Sequence, residues 1–302
     1  MQNTKHILMI RPVNFGYNAQ TAVNNSFQKN VTGNLQKMAL QEFNGFVELL
    51  KKNKVDVTVI EDTITPSTPD SIFPNNWVSF NNNGSVFLYP MFAINRRQER
   101  KTHVLDAIRK EFDISEIIDL SYYESEQRFL EGTGSMVLDR QNKIAYACLS
   151  ARTDEKILEN FCKKAGYNPV TFNATDLAGT PIYHTNVLMC VADRYAVVCL
   201  AAISNEAERT GLAKSLQNTG KIIIDISIQQ LNSFAGNMLQ VKNEDDELLL
   251  VMSSQAYGSL TAQQVTLLQK YNRIIHASLK TIETAGGGSA RCMMAEVFLQ
   301  KK

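Results

Sequence analysis

A cysteine near the end of the chain, Cys292, directly follows a glycine-rich run, Gly286–Arg291. Glycine lets backbone approach a ligand closely or adopt positive φ, so this run can deliver the thiol into an adjacent space. A free cysteine is more often a small buried hydrophobic residue. Here, however, Glu131 and His184 lie upstream, and thiol chemistry requires a nucleophile, a base and a carboxylate. We therefore predict that Cys292 is a catalytic nucleophile.

His184 and Glu131 could also have purely structural roles. His184 alone could be a satisfied core histidine, and Glu131 a strand-end carboxylate facing water. A free thiol has a pKa of about 8.5, so Cys292 needs a cationic neighbour or a cationic substrate to ionise near neutral pH. We predict that His184 protonates the leaving amine and then activates water, while Glu131 fixes the tautomer of the imidazole.

Composition restricts the class of protein. The 302 residues are 44% hydrophobic and 20% charged, which is typical of a soluble globular protein with a sizeable core. The formal net charge of +1 gives no basic excess, so neither nucleic acid nor a membrane is an expected partner. We expect a small-molecule amino-acid substrate instead. The oligomeric state is not determined, and a homo-oligomer remains open.

The cysteines and the amino terminus indicate a cytoplasmic location. The chain has five cysteines, an odd number without CxxC spacing, and three of them lie in apolar runs. We predict that they are reduced core residues, with Cys292 as the one reactive thiol. The first apolar run, Ile7–Ile10, is too short for a signal peptide. His184 is not accompanied by His, Cys or Asp residues at the spacing that metal sites use. We therefore expect neither a metal nor an organic cofactor.

A repeat of roughly fifty residues recurs about five times along the chain. Each unit contains an apolar strand pair, an amphipathic helix and a β-branched strand, as in Trp77–Tyr89, Glu99–Glu111 and Ile117–Leu120. Because such a unit cannot bury both faces alone, we predict an α/β fold in which five units close on one another with strands inside. Residues 1–302 should then form a single domain.

The repeat also aligns the candidate residues. Phe73–Asn76, Glu131, His184 and Ala235–Asn237 each precede the first strand of a unit. Corresponding positions in a closed ring of repeats face a common axis, and Cys292 should point to that axis. We include Gly236 and Asn237 among the substrate-binding residues for this reason.

Four segments carry a family resemblance: Phe73–Trp77, Leu130–Ser135, His184–Asn186 and Gly286–Cys292. They resemble the guanidino-group-modifying (pentein) superfamily of arginine deiminases, dimethylarginine hydrolases and amidinotransferases. The resemblance implies a pseudo-fivefold α/β propeller and attack of a thiolate on the central carbon of a guanidine or urea. Within the superfamily, the segments resemble most closely the citrulline-utilisation hydrolase branch.

Asparagines at two positions of these motifs indicate the charge of the substrate. Deiminases of this superfamily commonly have carboxylates two residues after the histidine and after the phenylalanine motif, where this chain has Asn186 and Asn75 or Asn76. A buried guanidinium without paired carboxylates costs several kcal/mol, whereas amides match a neutral ureido group. We therefore predict hydrolysis of citrulline to ornithine, ammonia and carbon dioxide. The alternative is that these asparagines only cap turns.

The amino-acid end of the substrate needs its own partners. Arg96 and Arg97 begin a predicted helix, and an arginine fork can hold an α-carboxylate with two hydrogen bonds. Arg11 with Asn18 is a second candidate cluster.

Three other functions remain open. One is a guanidine hydrolase such as an arginine deiminase or a dimethylarginine dimethylaminohydrolase. A second is an amidinotransferase. The third is a non-enzymatic binding protein on the same propeller, against which the set of Cys292, His184 and Glu131 argues.

Overall fold

The chain folds into five small sheets joined by helices. The structure is a computed structural model that describes residues 1–302. Its strands are β1 (His6–Arg11), β2 (Asp56–Glu61), β3 (Val78–Phe80), β4 (Ser85–Leu88), β5 (Glu116–Asp119), β6 (Val137–Asp139), β7 (Ile144–Cys148), β8 (Asn168–Phe172), β9 (Met189–Val191), β10 (Tyr195–Val198), β11 (Ile222–Asp225), β12 (Leu239–Lys242), β13 (Leu248–Ser253), β14 (Arg273–Ala277) and β15 (Ala295–Val297).

The helices lie mainly between the second and third strands of each sheet. They are α1 (Ala19–Ala22), α2 (Leu35–Lys52), α3 (Thr102–Glu111), α4 (Gly132–Ser135), α5 (Glu155–Ala165), α6 (Thr185–Leu188), α7 (Glu206–Asn218), α8 (Ile228–Asn232), α9 (Ser254–Ser259) and α10 (Ala262–Gln269). Asn34, Asp154 and Asn205 cap the N-termini of α2, α5 and α7 by accepting hydrogen bonds from backbone N–H groups. The predicted helix at Glu99–Glu111 begins later, because Ile94–Glu99 form a 3₁₀ helix.

Each sheet has three strands in one repeated arrangement. In the second sheet, β3 pairs antiparallel with β4, and β4 pairs parallel with β5. The third (β6–β8), fourth (β9–β11) and fifth (β12–β14) sheets repeat this order. This confirms the predicted strand-pair, helix and strand repeat. The first sheet differs because β1 takes its antiparallel partner, β15, from the end of the chain.

The apolar core lies between neighbouring sheets. Along β1, side chains alternate between the two faces of the sheet, as the period of a strand requires. Ile7 and Met9 join the cluster shared with the fifth sheet, whereas Leu8 and Ile10 join the cluster shared with the second. Because both faces are buried, these strands read in the sequence as continuous apolar runs.

The turns before the inner strands position the candidate residues. One-turn helices α4 and α6 directly follow Glu131 and His184, and a 3₁₀ turn, Pro74–Asn76, holds the corresponding place before β3. These turns contact one another, and Pro74–Asn76 also contacts the 3₁₀ turn Ala290–Met293 that carries Cys292. The aligned positions of the repeat therefore meet in space.

Candidate active site

A small buried cavity brings the predicted nucleophile and base together. Its volume is about 10 Å³, room for about one water molecule, so an amino acid needs a wall of the cavity to move before it can bind. Thirteen residues line it: Thr21, Asn25, Asp70, Phe73, Asn76, Arg96, Arg152, Tyr183, His184, Gly286, Gly287, Gly288 and Cys292.

His184 and Glu131 form a buried hydrogen-bonded pair. The Nε2 atom of His184 lies 2.8 Å from Oε2 of Glu131, and Oε1 of Glu131 accepts a hydrogen bond from the backbone N–H of Phe92. Burial opposes ionisation of Glu131, yet Arg152, His184 and Arg96 together hold the pKa of this carboxyl well below its ordinary value. An ionised Glu131 fixes the proton of the imidazole on Nε2 and leaves Nδ1 with a lone pair.

The imidazole is neutral in this environment. Burial lowers the pKa of His184 to about 4, and the charges of Arg152 and Arg96 add to that effect, while Glu131 opposes it. Gly134 makes room for the ring, because a Cβ there would overlap the amide of Asn76 and lie 2.9 Å from Nδ1 of His184. At neutral pH, His184 is therefore a candidate base with Nδ1 as its accepting atom.

Two asparagine amides hold the sulfur of Cys292. Nδ2 of Asn237 lies 3.2 Å from Sγ, and Nδ2 of Asn186 lies 3.6 Å from it. Asn237 is itself fixed, since Nδ2 also donates to the backbone oxygen of Asn186 and Oδ1 accepts from the backbone N–H of Arg291. Burial raises the pKa of Cys292, and the contacts with Ser289, the asparagines and Arg291 partly offset that rise. No hydrogen bond joins the thiol to His184.

Gly236 allows the backbone next to Asn237 to pack closely against a neighbouring turn. A Cβ at Gly236 would overlap the carbonyl oxygen of Val187 and lie 2.6 Å from the carbonyl carbon of Leu188. Only glycine allows this close approach of two backbones. Of the predicted pair, Asn237 contacts the sulfur atom and Gly236 packs against the backbone of Val187 and Leu188, and neither residue lines the cavity.

The cavity also contains a carboxylate with an unused oxygen. Asp70 is 2% exposed, and its Oδ2 accepts hydrogen bonds from Asn18 and Thr21 at 2.8 and 3.1 Å. Oδ1 has no hydrogen-bond partner. Burial raises the pKa of Asp70, with Arg96 the strongest opposing influence. A cationic group in the cavity would satisfy Oδ1 and stabilise the ionised form.

Two buried guanidinium groups face the same space. Arg96 forms a bidentate pair with Glu99, at 2.9 Å for both contacts, and its Nη1 donates to Oδ1 of Asn76. Arg152 donates from Nε to Asn24, whereas its Nη1 makes no hydrogen bond and lies 3.5 Å from Oε2 of Glu131. Both guanidinium groups therefore keep N–H donors on Nη1 that are not fully used.

The structure does not bring every predicted residue to the cavity. Arg97 donates to the backbone oxygens of Met91 and Phe92, and Arg11 donates to Asn44 and Glu61 on the outside of the first sheet. Asn75 lies behind the cavity, where its side-chain oxygen accepts from Asn76. Asn18 contacts Asp70 without lining the cavity. Asn186 contacts the sulfur of Cys292 and does not line the cavity.

Sequence reasoning missed Asp70 and Arg152. Asp70 stands three residues before Phe73, so its proximity to a motif already identified was an available signal. Arg152 follows the second strand of its unit rather than preceding the first, and the repeat gives no reason to place it at the axis. Nothing in the sequence around Arg152 indicates its burial.

One family model matches nearly the whole chain. The model described as N,N dimethylarginine dimethylhydrolase, eukaryotic, matches residues 11–299. No curated protein matches the chain by sequence.

Several solved structures share the fold. Apo ArgZ, described as an arginine dihydrolase from the ornithine–ammonia cycle in cyanobacteria, gives a TM-score of 0.75 at 18% identity, covering 97% of this chain and 40% of ArgZ. A cysteine-to-serine variant of the ArgZ N-terminal domain bound to substrate gives 0.75 at 17% identity, covering 97% and 99%. A dimethylarginine dimethylaminohydrolase variant with an S-methyl-L-thiocitrulline adduct gives 0.64 at 14% identity, covering 97% and 99%. The chain thus spans about 40% of full-length ArgZ.

No group of three or more His, Cys, Asp or Glu side chains is arranged to hold a metal ion. None of the helices combines the length and hydrophobicity needed to span a membrane.

Proposed function

The chain belongs to the eukaryotic N,N-dimethylarginine dimethylhydrolase family, and we propose that it hydrolyses a C–N bond of arginine or an N-substituted arginine through a covalent intermediate on Cys292. One observation carries the proposal. Cys292 and His184 line one buried cavity, and Glu131 holds the imidazole of His184 from behind. This arrangement supplies the nucleophile, the proton-transfer group and the group that orients it.

The charge around the cavity favours a cationic substrate. Three buried carboxylates, Asp70, Glu99 and Glu131, surround two buried guanidinium groups, Arg96 and Arg152. Burial raises the pKa of Glu99 to about 7 and also raises the pKa of Asp70, so the set reaches one negative charge with all five groups ionised, a state that a cationic ligand stabilises. Arginine carries a net charge of +1 and neutralises the set, whereas citrulline carries none. Because an unpaired buried charge costs several kcal/mol, this balance favours a guanidino substrate over the citrulline predicted from the asparagines.

The same charges supply a site for the amino-acid end. Nη1 of Arg96 and Nη1 of Arg152 retain donors for an α-carboxylate. Oδ1 of Asp70 accepts from the α-ammonium group, and the neighbouring Asn18 and Thr21 hold Oδ2 in place. We assign the predicted carboxylate-binding role to Arg96 and extend it to Arg152. Arg97 and Arg11 take no part in this proposal.

The reaction follows from the protonation states of the pair. Cys292 transfers its proton to His184, and the thiolate adds to the central carbon of the guanidinium group. The imidazolium returns that proton to the leaving nitrogen, so the C–N bond breaks and ammonia or an alkylamine departs. Neutral His184 then takes a proton from water, whose oxygen adds to the same carbon. Collapse of this adduct expels the thiolate, which recovers a proton from His184, while the proton of the adduct's hydroxyl group passes to solvent and leaves a neutral ureido product.

The thiolate is stabilised where it forms. Amide donors of Asn237 and Asn186 already lie against Sγ, and a hydrogen bond to an ionised group contributes about 1.5–3 kcal/mol. The positive charge of the substrate adds to this stabilisation once it occupies the cavity. Formation of the thiolate and binding of a cationic substrate are therefore coupled.

Similar proteins support the guanidino substrate. ArgZ is described as an arginine dihydrolase, and the other structural relative as a dimethylarginine dimethylaminohydrolase. A ureido hydrolase acting on citrulline is the second candidate, because the neutral amide of Asn76 lines the cavity beside His184. Citrulline would be the product of a first hydrolysis of arginine and could react again at the same site.

Product analysis distinguishes these functions. Purified protein is incubated separately with arginine, Nω,Nω-dimethylarginine and citrulline, and ornithine, citrulline and released amine are quantified by mass spectrometry. We expect kcat/KM for arginine or its dimethyl derivative to exceed that for citrulline at least tenfold. Turnover of citrulline alone would establish the second candidate. Guanidinoacetate formed from arginine plus glycine would indicate an amidinotransferase.

We also propose that the five sheets close into a pseudo-fivefold propeller and act as one domain. Apolar clusters join the first sheet to both the second and the fifth. Hydrogen bonds from the first residues of the chain also join different sheets. Gln2 donates to the backbone oxygens of Leu138 and Val191, and Thr4 donates to the backbone oxygen of Val297. These contacts support a ring that keeps the turns bearing Glu131, His184 and Cys292 at one axis.

A further inference from the structure

A second, larger cavity lies beside the catalytic one. Its volume is about 470 Å³, enough for a small organic molecule. We call it the outer pocket and define it by six of its lining residues: Phe27, Lys29, Asp176, Leu177, Phe234 and Glu283. It has no part in the proposed reaction.

A thin wall separates the outer pocket from the catalytic cavity. The side-chain amide of Asn25 and the hydroxyl of Tyr183 both donate to the backbone oxygen of Gly287, at 3.2 and 2.5 Å. All three residues line the catalytic cavity, whereas the residues that follow Asn25 line the outer pocket. The two spaces are therefore neighbours with different linings.

The lining of the outer pocket suits an organic cation. Glu283 is 3% exposed, and one of its oxygens accepts from Ser289 at 2.6 Å. Together with Asp176 it sets two carboxylates against the single ammonium group of Lys29. Burial raises the pKa of Glu283 to about 7, so a bound cation would stabilise its ionised form.

Apolar side chains form the other walls. The rings of Phe27 and Phe234 lie 5.0 Å apart, and the side chain of Leu177 is 83% exposed at the rim. Phe234 has a φ of 61°, which is rare for a bulky residue and indicates that surrounding contacts hold it there. An apolar body packed against these side chains would leave a charged group free to reach Glu283.

Both walls of the outer pocket connect to Cys292. Ser289, which donates to Glu283, accepts a hydrogen bond at its backbone oxygen from the N–H of Cys292. Phe234 accepts at its backbone oxygen from the N–H of Asn237, whose side chain donates to Sγ. A ligand that shifts either wall therefore shifts a direct neighbour of the nucleophile.

We propose that the outer pocket is an effector site for a small organic cation with an apolar body, and that its occupation changes the reactivity of Cys292. The ligand places its ammonium or guanidinium group on Glu283 and its apolar part against Phe27, Phe234 and Leu177. The site is separate from the substrate site. Its test does not depend on turnover, so the proposed catalytic function and the effector site can fail independently.

Binding is tested with a charged probe and its neutral counterpart. Phenethylammonium and 2-phenylethanol are titrated calorimetrically into the full-length wild-type protein and the Glu283→Gln variant at pH 8. We expect Glu283→Gln to weaken binding of the ammonium probe at least tenfold and to leave 2-phenylethanol unchanged. Asp245→Asn, which removes a surface carboxylate paired with Lys54, serves as the charge-matched control and should bind as wild type does. Equal affinity in Glu283→Gln and wild type would overturn the assignment.

A second variant keeps the test valid if Glu283→Gln folds poorly. Leu177→Arg places a cation at an exposed rim position, where the fold tolerates it, and should weaken the ammonium probe at least threefold. Unchanged affinity in this variant would also count against the site. A competition experiment between arginine and the ammonium probe then identifies where the probe binds. It uses the Cys292→Ser variant, which does not turn arginine over, and saturating arginine should alter the affinity for the probe less than twofold. Loss of probe binding under arginine would mean that the probe occupies the catalytic cavity.

Coupling is measured at the thiol. The rate of Cys292 alkylation by iodoacetamide, followed by peptide mass spectrometry, should change at least threefold when the probe saturates the wild-type protein. The same probe should have no such effect in Glu283→Gln. An unchanged rate in wild type would refute the effector role.

Discussion

Replacing Asn186 with aspartate tests what that residue does. In the structure its side-chain nitrogen lies 3.6 Å from Sγ of Cys292 and its oxygen 3.8 Å away. Asn186→Asp exchanges a hydrogen-bond donor for an anion at that distance. At an effective dielectric constant of about 20, two unit charges about 3.6 Å apart interact by roughly 4–5 kcal/mol, equivalent to about three units of pKa. Carboxylate and thiolate cannot both ionise near neutral pH, so the pair retains one proton.

The consequence is a loss of reactive thiolate for every substrate. We expect the midpoint of Cys292 alkylation by iodoacetamide to move to higher pH by about two to three units, and kcat/KM for arginine and citrulline to fall together by roughly a hundredfold or more. The hypothesis drawn from the sequence, in which Asn186 contacts a ureido oxygen, predicts instead a gain in preference for arginine. A changed substrate ratio with an unchanged alkylation profile would therefore refute the present reasoning.

Two further variants control this experiment. Asn186→Ala removes the donor without adding charge and should cost about tenfold in kcat/KM, in line with one hydrogen bond to an ionised group. Asn218→Asp makes the same chemical change at an exposed position and should leave both measurements unchanged.

Four other outcomes are expected. Cys292→Ser should abolish turnover while leaving the thermal unfolding midpoint within a few degrees of wild type, measured by circular dichroism, because a serine hydroxyl does not ionise at neutral pH. His184→Ala should either accumulate or fail to form the covalent adduct, which intact-protein mass spectrometry after substrate addition decides; unchanged steady-state rates would remove His184 from the mechanism. Glu131→Gln should lower the free energy of unfolding by about 3–5 kcal/mol at pH 7, since it leaves buried guanidinium charge uncompensated. The pKa of Glu131 is lowered on folding, so its contribution is present above its unfolded pKa of about 4.3, and the difference from wild type in urea unfolding should shrink as the pH falls below that value. Asp70→Asn should raise KM at least tenfold for arginine and citrulline alike, with kcat less affected, because both substrates carry the α-ammonium group; an effect confined to arginine would move Asp70 to the guanidinium.

The regular parts of the fold were predictable because their signals are local. The apolar runs that form β4, β7, β10 and β13 have both faces buried, and the intervening helices show helical periodicity with capping residues at their starts. The Asn-Gly turn before β4 is also as predicted, with Gly84 at a φ of 83°. The pairing of β1 with β15 was not predicted, because no local pattern links strands nearly three hundred residues apart.

The structure brings some of the predicted site residues to one cavity and places others elsewhere. The alignment of repeats indicated that Asn76, His184 and Cys292 share one space, and all three line the cavity. It could not indicate that Arg96 faces inward while Arg97, its neighbour, faces backbone oxygens outside. Adjacent residues of a helical turn point in different directions, and only the packing of that turn decides which one is buried.

The amino-acid sequence by itself determined the repeat, the order of the strands and the chemical types available for catalysis, because periodicity and residue identity are local properties. Tertiary structure decided which charges share the cavity. Asp70 and Arg152 are remote from each other and from Cys292 in the chain, yet they line the same space. Electrostatic energy depends on distances between buried groups, and those distances exist only after the sheets have packed.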